Sequence, residues 1–401
     1  MIRWGLKHRG VRPIGLDIGH NSVKMIQLVM NGEQIAVLAA NETRIDADIN
    51  GDEQERRSFV ISAIKRMLAK GNFYGRNVVS CLPSGDLKIT SLRLAEAERD
   101  GIEQALRREV VQRFGLDPDK DTMDYVVAGN VRHGDEIKNE LILFAAENET
   151  IKKHVRMLEE AGLRPMAIDT IPGALFRSFE RSLRRQEDRE RTLVFVDVGS
   201  RFTTVVFGRD GKISFVKEIQ IGEESLNQQV AAKLGVSLSE AEMLRETLRM
   251  EKALSVPKPG SVAEPPVGSE QKIDTSTRQV MVDAVTAVVQ DLAREISLCL
   301  RYYTVTFRGK RVERAVVAGA GAYEDILLGI LQRQLMIEVE LAQPLRGFDL
   351  SSERPNLKFD GDRRGFFCEW AVVVGLSLRG WNGTKRSRRY AGYDMRNTRS
   401  L

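Results

Sequence analysis

Short β-prone apolar runs separated by turn residues dominate the chain, and fewer stretches carry a helical period. Ile14–Ile18, Val23–Val29 and Gln34–Ala40 read as strands, with Asn31-Gly32 as a hairpin turn. A helix is predicted over Arg56–Lys70, strands at Asn77–Leu82 and Lys88–Leu94, and a helix from about Glu98 to Phe114. Strands at Met123–Asn130 and Glu140–Ala146 flank the turn-rich His133-Gly134-Asp135. Asn148 is the expected cap of a helix stopping near Gly162. Met166–Asp169 reads as a strand, and Pro172 suits the first turn of a helix running toward Arg185. The charged stretch Arg184–Arg191 reads as an exposed connection.

The plan then starts again. Thr192–Asp197, Phe202–Gly208 and Ile213–Ile219 are predicted strands, with Asp210-Gly211 at the second turn. Helices follow at about Glu223–Leu234 and Leu238–Met250. Residues 251–276 hold Pro257, Pro259, Pro265 and Pro266 without an apolar period and read as a mobile insertion. A long helix, Arg278–Phe307, carries the stripe Val282, Val285, Val289, Leu292 and Ile296. Then come a strand at Ala315–Ala318, a helix at Asp325–Leu335, a strand at Glu338–Leu341 and a closing helix at Glu369–Leu378.

The first strand of each half ends in Asp-x-Gly: Asp17-Ile18-Gly19 and Asp197-Val198-Gly199. Each is followed by a polar turn, a strand, an Asn-Gly or Asp-Gly turn and another strand, so the chain is predicted to fold as two similar lobes. Such turns present backbone N–H groups in a concave loop that suits phosphate oxygens. Two facing turns would grip one nucleotide, with Asp17 and Asp197 in exposed turns near a Mg²⁺ ion held through water. His20, Asn21, Ser22 and Lys24 are the further candidates in the first turn, and Ser200 and Thr203 in the second. Gly319-Ala320-Gly321-Ala322 runs from a buried strand and leaves space for a flat base. Glu242 and Arg245 share a helix face spaced for ribose and base contacts.

Charge adds one feature. Of the net +5, residues 1–16 carry +4 and residues 379–401 carry +6, which leaves the body net acidic. Basic tails on an acidic body point to an anionic surface such as inner-leaflet lipid, and no basic face interleaved with aromatics points to nucleic acid. Cys81, Cys299 and Cys368 are isolated in sequence, which argues for a reducing compartment and against a zinc site. The longest apolar run, Trp370–Leu378, is far short of a membrane span, and Asp17 interrupts any signal-like segment.

The motif Asp17-Ile18-Gly19-His20-Asn21-Ser22-Val23-Lys24, the second motif Asp197-Val198-Gly199 with Thr203, and Gly319–Ala322 together resemble the actin-like ATPases. Leu106-Arg107-Arg108-Glu109, Phe114-Gly115-Leu116-Asp117, Tyr125, Pro172-Gly173-Ala174 and Ala371–Arg379 resemble, more narrowly, the PilM family of type IV pilus systems. The resemblance spans residues 14–380 and departs from the family pattern at Arg245, where the family has Lys, and at Ala320, where it has Gly.

It implies an α/β actin-like fold: a first lobe over 14–185 with an extra α+β subdomain at about 95–165, and a second lobe over 192–380. Residues 1–13 and 381–401 would be basic tails. It further implies a cytoplasmic, inner-membrane-associated scaffold of a type IV pilus or related type II secretion-like assembly platform that binds ATP with Mg²⁺, is at most a slow ATPase, and docks the N-terminal peptide of a PilN-like membrane protein. Two alternatives share the fold. An FtsA-like division protein would end in an amphipathic helix, yet residues 381–401 show no apolar stripe. A small-molecule kinase would need a general base, for which Asp169 is the candidate, although Asp169 also suits a helix-entry cap.

Overall fold

The computed structural model describes residues 10–31, 34–46, 49, 51–95, 101–133, 136–180, 191–254, 273–307, 311–350, 367–379 and 393–394. In the first half β1 (Val11–Ile18), β2 (Ser22–Asn31) and β3 (Gln34–Arg44) form an antiparallel meander. Helix α1 (Glu53–Lys70) crosses back so that β4 (Asn77–Cys81) lies parallel to β1. Asp52 caps α1, its carboxylate accepting the N–H groups of Gln54 and Glu55.

The chain then leaves this sheet to build a separate one, β5 (Lys88–Ala95), β6 (Thr122–His133) and β7 (Glu136–Ala146), in the order β5-β7-β6. Helix α2 (Ile102–Glu109) covers it and runs into a π turn at Val110–Phe114, which Gly115 ends at φ +67°. Helix α3 (Asn148–Glu160) leads back to β8 (Arg164–Asp169), parallel to β4. Asn148 is not the cap of α3. The N-cap is Glu147, without a side-chain bond, and the Asn148 N–H donates instead to Asp121 of the preceding loop at 3.0 Å.

Helix α4 (Ile171–Glu180) passes to the second half, where β9 (Thr192–Val198), β10 (Thr203–Arg209) and β11 (Lys212–Ile219) repeat the meander. Helices α5 (Glu223–Leu234), α6 (Leu238–Leu254) and α7 (Thr275–Thr306) precede β12 (Val312–Ala318), parallel to β9. Helix α8 (Asp325–Leu335) joins it to β13 (Glu338–Leu341). The order β3-β2-β1-β4-β8 matches β11-β10-β9-β12-β13 strand for strand, in direction as well as position. β14 (Tyr393–Asp394) adds to the outer side of β8. The ends of the stretch read as an insertion are helical: residues 251–254 belong to α6 and 275–276 to α7, while 255–272 lie outside the described residues. The two tails also lie outside them, apart from residues 10–13 and 393–394.

Three packing features position the cleft. A single 3-10 turn at Cys368–Trp370 opens α9 (Ala371–Ser377), which crosses α4 between the lobes. Gly375 permits that crossing, because a Cβ there would overlap the Ala174 carbonyl. Strand β7 alternates between two cores, as the two-residue period requires. Leu141, Leu143 and Ala145 pack with Leu106 and Val110 of the inserted unit, whereas Ile142 and Phe144 enter the core of the second lobe. The insertion thus leaves the chain from the first lobe yet packs against the second. Arg93 of β5 reinforces the joint, pairing with buried Glu140 at 2.7 Å and donating to Thr306 of α7 at 2.9 Å.

Candidate functional site

The two Asp-x-Gly turns share one backbone bond. The Gly19 N–H donates to the Ser22 carbonyl at 2.9 Å, and the Gly199 N–H donates to the Phe202 carbonyl at 3.1 Å. Asp17 and Asp197 do not sit in exposed turns, as the sequence predicts; each lies within its strand, half-buried near the strand's end. Burial raises both above the usual carboxylate range. The charge of Asp17 adds to the burial at Asp197, which is pushed up to about 7 against the pull of Lys24. Two half-buried acids, with the charge of Asp17 disfavouring ionisation of Asp197, make a site that gains from a cation.

Lys24 lies on the neighbouring strand, its ammonium 2.6 Å from Ser22 Oγ and 3.2 Å from Glu42. Burial works against its charge, but Glu42, Asp17 and Glu369 together outweigh it and raise its pKa. Asn21 spends its carbonyl on the Ile45 N–H, and Thr203 Oγ1 donates to the Ile221 carbonyl at 2.7 Å. Ser200 Oγ is buried with no hydrogen-bond partner. The carbonyls of Gly199 and Ser200 accept the first N–H groups of α5, which fixes the second turn to that helix.

The third element closes on the second turn. Gly319 has φ +87°, and a Cβ there would come within 2.8 Å of Asp197 Oδ1 and overlap the Val198 carbonyl. Ala320–Tyr323 follow as a 3-10 turn, with Gly321 against Val198 and Ala322 buried. Glu242 and Arg245 both lie on α6, as expected, but their surroundings differ. Arg245 is 3% exposed and bonded to Asn227 and the Glu223 carbonyl, and it pairs with Glu324 just beyond the 3-10 turn. Its fork braces the wall of the cleft. Glu242 is half-buried and raised in pKa by burial and by Glu246 and Glu223.

Asp169 stands at the end of β8, fully buried, 3.0 Å from Arg177 and 2.8 Å from Arg379. Burial alone would raise its pKa, but the two arginines outweigh it and hold the carboxylate ionised. Arg177 also donates to the Gly375 carbonyl. This carboxylate ties α4 to the end of α9 and is occupied in the role of a structural anchor, which removes the candidate base of the kinase reading.

The sequence profile of the type IV pilus assembly protein PilM matches residues 15–256. The chain belongs to the PilM family. Its structure superposes on a chain of a PilM-PilN type IV pilus biogenesis complex at 20% identity and TM-score 0.70, covering 92% of this chain and 98% of that one. The ethanolamine utilization protein EutJ from Carboxydothermus hydrogenoformans follows at 14% identity and TM-score 0.50, covering 92% and 90%. The fold is therefore the actin-like ATPase fold, and membership of the PilM family makes the chain a type IV pilus assembly protein rather than an FtsA-like protein or a kinase. Among the described residues no helix is long and apolar enough to cross a membrane.

Sequence reasoning missed the charged residues at the rim. Arg56 of α1 donates to the carbonyls of Gly19 and His20, and Arg201 pairs with Glu224 at the start of α5. Arg44 of β3 reaches across to Glu246 of α6 at 3.0 Å. Arg201 had a signal, since it directly follows Gly199-Ser200. Arg56 and Glu224 had none, because only the fold brings them to the turns.

Proposed function

We propose that the chain is a pilus-platform scaffold that binds ATP with Mg²⁺ between its lobes and receives the N-terminal cytoplasmic peptide of a PilN-like inner-membrane protein on the inserted subdomain. The observation that carries the nucleotide half is the half-buried Asp17–Asp197 pair at the ends of two matching strands, Asp17 raising the pKa of Asp197, with the unpartnered Ser200 Oγ in the second turn. Among the described residues no cluster of three or more His, Cys, Asp or Glu side chains could hold a metal. A Mg²⁺ ion fits this pair on condition that phosphate oxygens and water supply most of its ligands. Gly19, His20, Asn21, Ser22, Lys24, Gly199, Ser200 and Thr203 form the two phosphate turns in this reading, and Gly319–Ala322 with Glu242 and Arg245 form the adenosine side. Bound Mg²⁺ would neutralise the phosphates.

The partner half rests on the complex formed by the related protein and on an apolar surface of the insertion. Tyr125 and Val127 of the edge strand β6 are exposed on the face that carries α2, together with Val111 and Ile137. An extended peptide gains affinity by pairing with such an edge and specificity by filling apolar pockets. Basic tails that meet anionic lipid would hold the scaffold near its partner.

Calorimetric titration of Mg·ATP tests the cleft. Asp197→Asn is expected to lose Mg²⁺-dependent affinity about 10-fold or more, yet to unfold no earlier than wild type, because it relieves a half-buried like-charge pair. Unchanged affinity in this variant and in Asp17→Asn removes the site assignment.

A further inference from the structure

Groups able to carry positive charge meet where the two turns face each other. His20 belongs to the first turn, Arg56 reaches that turn from α1, and Arg201 projects from the second turn on the other lobe. Arg56 donates to the carbonyls of Gly19 at 2.7 Å and His20 at 3.0 Å, so it pins the first turn while its charge stays at the cleft. The groups feel one another. Burial, then Arg201 and Arg56, push His20 down to about 4, and Arg201 adds to the burial that lowers Arg56.

His20 and Arg201 share a carboxylate. Arg201 Nε donates to Glu224 Oε2 at 2.8 Å, and His20 Nε2 lies 4.0 Å from the same oxygen. Glu224 therefore occupies the position an external anion would take between the lobes. Ser200 Oγ, one residue before Arg201, is buried and unpartnered. A buried hydroxyl without a partner costs free energy that a phosphate oxygen would recover.

We propose that Arg201, backed across the cleft by Arg56, takes the terminal phosphate of a nucleoside triphosphate in place of Glu224 and so distinguishes triphosphate from diphosphate. The inference rests on the cleft's being a nucleotide site. A guanidinium pairs with phosphate through parallel, charge-assisted hydrogen bonds, and it keeps its charge at any physiological pH. A diphosphate lacks the group that competes with Glu224, so the Arg201–Glu224 pair persists. Because Arg201 and Arg56 come from opposite lobes, an anion held by both also draws the lobes together.

The test measures dissociation constants of the full chain for Mg·ATP, a non-hydrolysable triphosphate analogue and Mg·ADP. The variants are Arg201→Ala, Glu224→Gln and Arg57→Ala, the last a charge-matched control whose residue pairs with Glu160 of α3. The side chain of Arg201 is 53% exposed, so its truncation leaves the fold in place, which an unchanged unfolding midpoint verifies. Arg201→Ala is expected to lose about 10-fold in triphosphate affinity and less than about 3-fold in diphosphate affinity. Glu224→Gln should tighten the triphosphate, because Arg201 no longer has to leave a carboxylate, and Arg57→Ala should change neither. An unchanged triphosphate-to-diphosphate ratio in Arg201→Ala, or an equal loss of both ligands, overturns the proposal while the cleft reading stands. Wild-type protein that binds neither nucleotide overturns the cleft reading itself, and this proposal with it.

Discussion

Asp169→Asn is expected to cost about 3 kcal/mol of stability, within the range of about 3–5 kcal/mol for breaking a buried ion pair from one side. The carboxylate is completely buried, and the side chains of Arg177 and Arg379 are 11% and 19% exposed. Asparagine keeps the shape and the hydrogen bond from the Thr170 N–H, but it strands two cations that water reaches poorly. The low end of the range applies because Arg177 retains the Gly375 carbonyl. In urea unfolding followed by circular dichroism, with m on the order of 3 kcal/mol per molar, the midpoint falls by about 1 M. Adding Arg177→Met should recover part of the loss, since it removes one stranded charge. Arg57–Glu160, with side chains 39% and 52% exposed, is the control, and breaking it should cost less than about 1 kcal/mol. If Asp169→Asn costs no more than this surface pair, the carboxylate does not anchor α4 to α9, and a chemical role for it must be reconsidered.

Further expectations follow from single residues. His154 is buried against Ser80 Oγ at 3.1 Å, and burial pushes it down to about 4 from an ordinary value of 6.5. The unfolded chain therefore takes up a proton first as pH falls. Its contribution is intact above pH 6.5 and is lost between 6.5 and about 4, to a total of about 3 kcal/mol, and the slope in that window should flatten in His154→Gln. Gly375→Ala should cost about 3 kcal/mol or prevent folding, because its Cβ meets backbone of α4 rather than a movable side chain; a thermal midpoint near wild type would refute the close crossing.

The parts of the fold that local chemistry determines were legible in the sequence. The helices Glu223–Leu234 and Asp325–Leu335 and the strand Glu338–Leu341 have their expected boundaries; Gly235 stops the first at φ +69°, and Met336, at φ +56°, stops the second just before the strand. The Asp-x-Gly repeat was legible because each turn needs the same backbone bond. What sequence could not reveal depends on distant packing. The surroundings of Asp197 depend on the loop at Gly319, which tertiary structure alone brings against it. Asn148 looked like a cap by composition, but tertiary structure supplied Asp121 instead. The attachment of the insertion to the second lobe had no local signal either, because Ile142 and Phe144 alternate with Leu141 and Leu143 and both faces are apolar.

The measurement that bears most directly on the proposed scaffold role is titration of the full chain with the N-terminal cytoplasmic peptide of a PilN-like protein, with and without Mg·ATP. The account predicts a dissociation constant on the order of 1 μM, about 8 kcal/mol, moderated by the ordering of a flexible peptide. Tyr125→Ala with Val127→Asp should weaken it about 10-fold or more without moving the unfolding midpoint, because both side chains are exposed. Charge reversal at Arg107 and Arg108, on the same subdomain, should weaken it more than removal of residues 381–401 does. No binding at high micromolar peptide, in either nucleotide condition, would contradict the account.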